Sequence, residues 1–144
     1  MFNLPVINRE LTKKAVEDLL EQYKVFLMQT PEDHIPKVTA SYSIIPPSNT
    51  NEFKSSTEDL AIKKVDSEVK REKFLSRIQR AVNRLPQRER AIIVLRYMQL
   101  DHKYDYEVFN ELGLSERSYY RLKGRVFYNL AFILRVEVYK EENR

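Results

Sequence analysis

"LGLSERSYYRLKGRVFYNL", residues 112–130, contains both glycines of the 144-residue chain, Gly113 and Gly124, and a basic run from Arg117 to Arg125 with no acid inside it. Gly-Leu-Ser reads as a turn followed by a cap. Gly113 supplies the left-handed backbone that turns a chain sharply, and Ser115 can accept from the free N–H groups of the next helix. That helix is predicted to run to about Leu134. Tyr119, Leu122, Val126 and Leu130 recur at steps of 3, 4 and 4, which is one stripe of an α-helix. Tyr119 therefore points inward. Tyr120 lies about 100° further round, on an exposed arc with Glu116, Arg117, Arg121 and Lys123. The two tyrosines are neighbours in sequence but not in role.

Upstream of the turn, "DYEVFNEL" forms two helical turns with Asp105 as the expected cap and Val108 on the inner side. Leu114 is placed to plug the angle between this short helix and the next. Before it comes a polar break, "LDHKY", and before that "QRERAIIVLRYMQ", a helix with Ile92, Leu95 and Tyr97/Met98 toward a core. Pro86 sits at its start, where a missing N–H costs little. A short helix, a glycine turn and a long basic helix have the spacing of a helix-turn-helix.

In that motif the first exposed residues of the second helix reach base edges in the major groove. Here they are Glu116, Arg117, Ser118, Tyr120 and Arg121. Arginine grips guanine in bidentate fashion. Glu116 is within reach of a cytosine amine, but its position favours complementing the helix amino terminus. Lys123 and Arg125 lie further along, and with Lys103 and Ser115 they are the candidates for phosphate contacts, which position without reading sequence. Gly124 is the odd residue, because mid-helix glycine costs about 1 kcal/mol against alanine.

Charge agrees with this placement. The chain is +4 overall. Residues 84–135 hold ten Lys/Arg against six acids, residues 1–83 hold 13 against 12, and the segment 136–144 is −1. An anionic partner would bind the carboxy-terminal third. The first 112 residues contain no glycine, which excludes phosphate-cradling P-loops and dinucleotide folds and disfavours most α/β enzymes. There is no cysteine, hence no disulfide framework and no thiolate metal site. His34 and His102 are the only histidines, 68 positions apart, and neither has a Cys or His partner near it in sequence. No catalytic residue, metal or cofactor is expected. No apolar run approaches the 18 or so residues of a membrane span, and "MFNLPVINRE" lacks the layout of a signal peptide, so a cytoplasmic protein is expected.

The rest of the chain divides by pattern. An amphipathic helix is predicted from about Arg9 to Gln29, with Leu11, Ala15, Val16, Leu19, Leu20, Tyr23 and Phe26/Leu27 on one side, Asn8 as cap and Pro31 beyond its end. Four prolines between residues 31 and 47 then rule out a single helix. An extended linker is predicted there, with a short strand-like piece around Lys37–Ile45. Ser55 and Glu58 form a capping-box pattern opening a long helix to about Arg84. Its stripe includes Leu60, Ile62, Val65, Val69, Phe74, Leu75, Ile78 and Val82, interrupted at Arg71–Lys73. It can fold back on the domain or pair with a copy of itself, so a homodimer is compatible with the pattern but not demanded by it. The expected architecture is all-α. Residues 1–54 form an amino-terminal helical arm with a Pro-rich linker, and 55–85 a packing or oligomerisation helix. Residues 86–136 are the helix-turn-helix, and 137–144 a charged tail.

"LPQRERAIIVLRYMQ…YEVFNELGLSERSYYRLK" resembles the promoter-reading last domain of bacterial sigma factors. "SERSYYRLKGRVFYNLA", with "INRELTKKAVEDLLEQYK" and "KVTASYS", is more specifically similar to the ArpU family of phage transcriptional regulators, over nearly the whole chain. The resemblance implies a phage or prophage protein, acting in a bacterial host cell, that activates late-gene transcription by binding duplex DNA. Its recognition helix would fall on Ser115 to Arg125, and host RNA polymerase would be a second partner. Phe109 departs from the usual motif, where a small residue is common. Two other readings compete. A small terminase subunit typically places its DNA-binding helices first, the reverse of the order here. A true sigma factor needs a second, basic and aromatic-rich domain for melted strands, which residues 1–83 do not provide.

Overall fold

The computed structural model describes residues 6–47 and 65–141. Helices carry the fold, as the sequence predicts. Helix α1 spans Arg9–Met28. Asn8 is extended and its Oδ1 accepts from Leu11 N at 3.1 Å, so the predicted cap is the observed one. Thr12, Val16, Leu20, Tyr23 and Leu27 form its buried face. Leu11, assigned to that face from its hydrophobicity, is 50% exposed. Thr12 takes the place because its hydroxyl bonds both backbone atoms of Val138, at 2.9 and 3.2 Å.

After a single 3-10 turn at Glu32–His34, strands β1 (Lys37–Val38) and β2 (Ile44–Ile45) pair antiparallel with Val38 opposite Ile44. The strand-like piece predicted around Lys37–Ile45 is this hairpin, and it is docked on the fold rather than serving as a linker. Asn83 clamps it, donating to Ile44 O and accepting from Ile44 N, both at 2.8 Å. Arg90 donates to Ser41 O through Nη2 at 2.7 Å and Nε at 3.2 Å. A short hairpin has little stability of its own; these long-range bonds hold it.

Helix α2 spans Asp66–Asn83, with Val65 extended as its cap. Val65 is extended, so a helix running unbroken from Ser55 to Arg84 is not formed. The Ser55–Glu58 capping pattern and Leu60 and Ile62 lie outside the described residues. Leu75, Ile78, Gln79, Ala81 and Val82 are buried. Helices α3 (Gln87–Tyr97), α4 (Asp105–Glu111) and α5 (Glu116–Leu134) follow. Every residue from Ala91 to Leu95 is buried, so α3 is surrounded on all sides rather than showing one stripe. Helix α5 ends with Arg135 in the left-handed conformation, φ 60°.

One core joins α1, α2, α3 and α5. Val16, Leu20, Tyr23, Leu27, Ile78, Val82, Ile93, Val94, Val126 and Leu130 belong to it, with Ile44 of the hairpin. The amino-terminal helix is therefore a wall of this core and not an arm, and α2 folds back onto it. The terminal segments also meet. Asn8 N donates to Val138 O and Lys140 N to Val6 O, each at 2.7 Å, so Val138–Lys140 is tied to the start of α1 rather than forming a loose tail. A second, smaller cluster consists of Ile92, Leu95, Val108 and Tyr119, flanked by Phe109, Leu112, Leu114 and Leu122. It packs α4 and α5 onto α3.

Candidate nucleic-acid interface

The turn between α4 and α5 follows from its residues. Gly113 has φ 68°, the region where a side chain is disfavoured. Leu114 N returns to Phe109 O at 2.8 Å, and the Leu114 side chain packs into the smaller cluster. Ser115 caps α5, its Oγ accepting from Ser118 N at 3.1 Å. Phe109, the departure from the usual motif, is accommodated against Tyr119, their ring centroids 5.6 Å apart. The interhelical packing is thus aromatic where small residues would usually allow closer contact.

Asp105 does not cap α4 as the sequence predicts. Tyr104 is the capping residue, and Glu107 Oε1 accepts from its N–H at 3.0 Å. One position inside the helix, the Asp105 carboxylate instead receives three donors. Tyr119 Oη stands at 2.5 Å, Lys123 Nζ at 2.8 Å and Arg96 Nε at 3.3 Å. This hub ties α3, α4 and α5 together. Burial alone would raise the Asp105 carboxyl, but hydrogen bonds from Lys123 and Tyr119 and the Lys123 and Arg96 charges outweigh it and hold its pKa below the usual carboxylate range. Burial, then the bond to Asp105, pushes the Tyr119 hydroxyl well above its ordinary value. For Lys123 burial works against the charge, but the partnership with Asp105 prevails and its pKa is raised.

Lys123 is therefore not where the exposed arc predicts it. Its side chain is 12% exposed. Its Nζ stands 5.3 Å from the centroid of Tyr97 and 5.8 to 5.9 Å from those of Tyr119, Phe127 and Tyr120. An ammonium turned inward into an aromatic cage and bonded to a carboxylate is not displayed on the outer arc, and the phosphate role assigned to Lys123 does not fit that position. Lys103 is half-buried, with its ammonium 3.7 Å from Glu111. Ser115 is exposed, its Oγ accepting the capping bond from Ser118 N, which leaves the O–H donor role of a phosphate contact compatible with the cap.

The base-reading candidates fare differently. Tyr119 is fully buried and Tyr120 is 47% exposed, the division the periodicity predicts. Glu116, Arg117, Ser118 and Arg121 are all exposed, as is Arg125. Arg117, Arg121 and Arg125 repeat every four residues, which in a helix makes one slowly turning row. No acid interrupts the row between Arg117 and Arg125. On the opposite side Val126 and Tyr119 are buried, with Leu122 half-buried and Val108 buried beneath them. A rigid helix thus offers outward cations and one phenol, suited to hydrogen-bonding an anionic, edge-rich surface. The hub of Asp105, Arg96 and Tyr97 was missed from the sequence. Its available signal was the spacing of Lys123, one turn after the buried Tyr119.

Among the described residues no group of three or more His, Asp or Glu side chains is placed to hold a metal ion. His34 lies 3.8 Å from Asp33 on the surface, and His102 packs edge-on to Tyr104 with centroids 6.2 Å apart. No helix among them is long and apolar enough to cross a membrane.

No family model matches the chain, and no solved structure matches it. Curated relatives do. The protein Gp66 of Listeria phage A118 is 29% identical over 141 residues, 96% of each chain. The phage-related protein Lin1259/Lin1739 of Listeria innocua is 34% identical over 140 residues, covering 97% of this chain and 98% of the relative. Similarity of that extent along both full lengths spans α1 and the hairpin as well as the helix-turn-helix, and the chain belongs to the family of phage-related proteins that includes Lin1259/Lin1739.

Proposed function

We propose that this protein is a sequence-specific duplex-DNA-binding regulator of transcription, in the manner of the ArpU family it resembles, acting in the host cell on phage or prophage late genes. The observation that carries the reading is the outer face of α5. Arg117, Tyr120, Arg121 and Arg125 are exposed together on a helix that a glycine turn sets across α4. The inner side of that helix is pinned by Tyr119 and Lys123 to Asp105. A reader needs side chains held in fixed geometry, because each bidentate base contact is worth only about 1–3 kcal/mol of discrimination. The pinned helix meets that requirement. Membership of a phage-related family agrees with the context. Activation, and contact with host RNA polymerase, are supported by the resemblance alone.

The test is selection from random duplex DNA with the wild type and with Arg117→Ala/Arg121→Ala. Wild type is expected to enrich a defined motif, and the double variant to lose it while keeping salt-sensitive nonspecific binding. A motif enriched equally by both proteins would remove α5 as the reader. No motif from either, with weak general binding, would favour a packaging protein or a polymerase-held adaptor.

A further inference from the structure

Along the flank of α5 that looks toward α1 runs a groove of about 280 Å³. Tyr120, Gly124 and Tyr128 of α5 line it, one helical turn apart from each other, and Arg9 and Lys13 of α1 form its other wall. Nothing in the helix-turn-helix reading requires it. We infer that this groove seats a sugar-phosphate strand of the duplex beside the recognition helix, so that Arg9 and Lys13 extend the DNA interface onto α1. The inference rests on the DNA-binding reading of α5.

Position is the first argument. At about 100° per residue, Tyr120, Gly124 and Tyr128 form a row about 60° round the helix from Arg117, Arg121 and Arg125. A strand flanking the base-reading row meets the groove next. Charge is the second. Among the described residues no acid lines the groove. Arg9 stands 5.8 Å from the Tyr128 centroid, held at the mouth by the ring. Lys13 is paired with Glu17 at 3.9 Å, both side chains largely exposed, a pair too weak to withhold it from a phosphate. An all-cationic rim over aromatic rings suits a polyanion whose sugars pack on the rings; a neutral partner helix would leave these charges without partners.

Gly124 is the third argument. A Cβ built there meets nothing within 4 Å among the described residues, so none of them requires glycine. The residue keeps the floor of the groove flat, where an incoming backbone can approach. Finally, the rim is held rigidly. The backbone of Asn8 and the hydroxyl of Thr12 are both bonded to Val138, which fixes the first turns of α1 against the rest of the fold.

The experiment measures affinity against salt concentration for wild type, Arg9→Ala/Lys13→Ala and Gly124→Leu. It uses the duplex obtained by selection, or a mixed-sequence duplex if no motif emerges, and a scrambled control. Thermal unfolding of each variant serves as the folding control. Removing two phosphate contacts is expected to flatten the slope of log K against log salt by about 1–2. Affinity should fall roughly tenfold on both duplexes with the selected motif unchanged. Gly124→Leu is expected to unfold at or above the wild-type temperature and still bind every duplex more weakly. Wild-type affinity and slope in Arg9→Ala/Lys13→Ala would overturn the inference while leaving the reading of α5 intact. So would a loss confined to the selected motif, which would make α1 a support for base reading. A wild type that binds no duplex at any salt overturns both.

Discussion

Lys123 follows Tyr119 by four residues, so in an α-helix it leans only about 40° from the buried direction. Its charge suggests the surface and its phase suggests the core. The structure follows the phase, because Asp105 supplies the counter-ion at 2.8 Å. Breaking such a pair leaves a charge behind. Asp105→Ala is expected to lower stability by about 2–4 kcal/mol in denaturant titration, since a buried partner is left uncompensated. Tyr119→Phe removes one bond to a charged acceptor and should cost about 1.5–3 kcal/mol. The hub also fixes a pH dependence. The Asp105 pKa is depressed in the folded protein, so its contribution is complete above the unfolded value of about 4 and disappears as pH falls through the folded value. Wild type should therefore exceed Asp105→Asn in denaturation midpoint at neutral pH, with the gap closing in acid. A gap independent of pH would show that the carboxylate charge is not what stabilises the hub.

Helix α5 shows how much of an element can be read in advance. Ser115 as cap, Gly113 as turn, the end near Leu134 and the inward Tyr119 follow from local chemistry and helical phase. The cap of α4 does not. Tyr104 holds it because Asp105, the better capping side chain, is drawn to donors on α3 and α5 that sequence proximity does not reveal. The two glycines separate cleanly at this scale. Gly113→Ala places a Cβ at φ 68° and should destabilise by about 1–2 kcal/mol. Gly124→Ala adds its Cβ in open space and should stabilise by up to about 1 kcal/mol, the propensity difference in a helix interior. Thermal melts of both variants check this, and a destabilising Gly124→Ala would point to a neighbour that the geometry does not show.

For the whole molecule, the helix-turn-helix has only the small cluster of Ile92, Leu95, Val108 and Tyr119 to itself and shares the larger core. Val126 and Leu130 of α5 and Ile93 and Val94 of α3 are buried in the same cluster as Val16, Leu20 and Leu27 of α1. Deleting residues 1–28 exposes that surface, at roughly 1.5–3 kcal/mol for each large side chain uncovered, which exceeds the margin of a small domain. The truncated protein is expected to lose its cooperative melt and its DNA binding together. A truncation that melts cooperatively would restore the picture of an arm. Asn83→Ala tests the hairpin in the same way. It leaves both polar backbone groups of Ile44 without partners and should cost about 1–3 kcal/mol.

The sequence by itself determined what depends on neighbours a few residues apart: the helical class, the caps at Asn8 and Ser115, the glycine turn, and the exposed basic row of α5. These rest on backbone geometry and helical phase, which local residues control. Only the tertiary structure decided what depends on partners far along the chain. It made α1 a wall of the core and surrounded α3 on every side. It clamped the hairpin through Asn83 and Arg90, and turned Asp105 and Lys123 from surface charges into a structural pair. Hydrogen bonds and ion pairs between distant residues carry no periodicity that a single strand of sequence can display, so their location awaited the packing that brings them within reach.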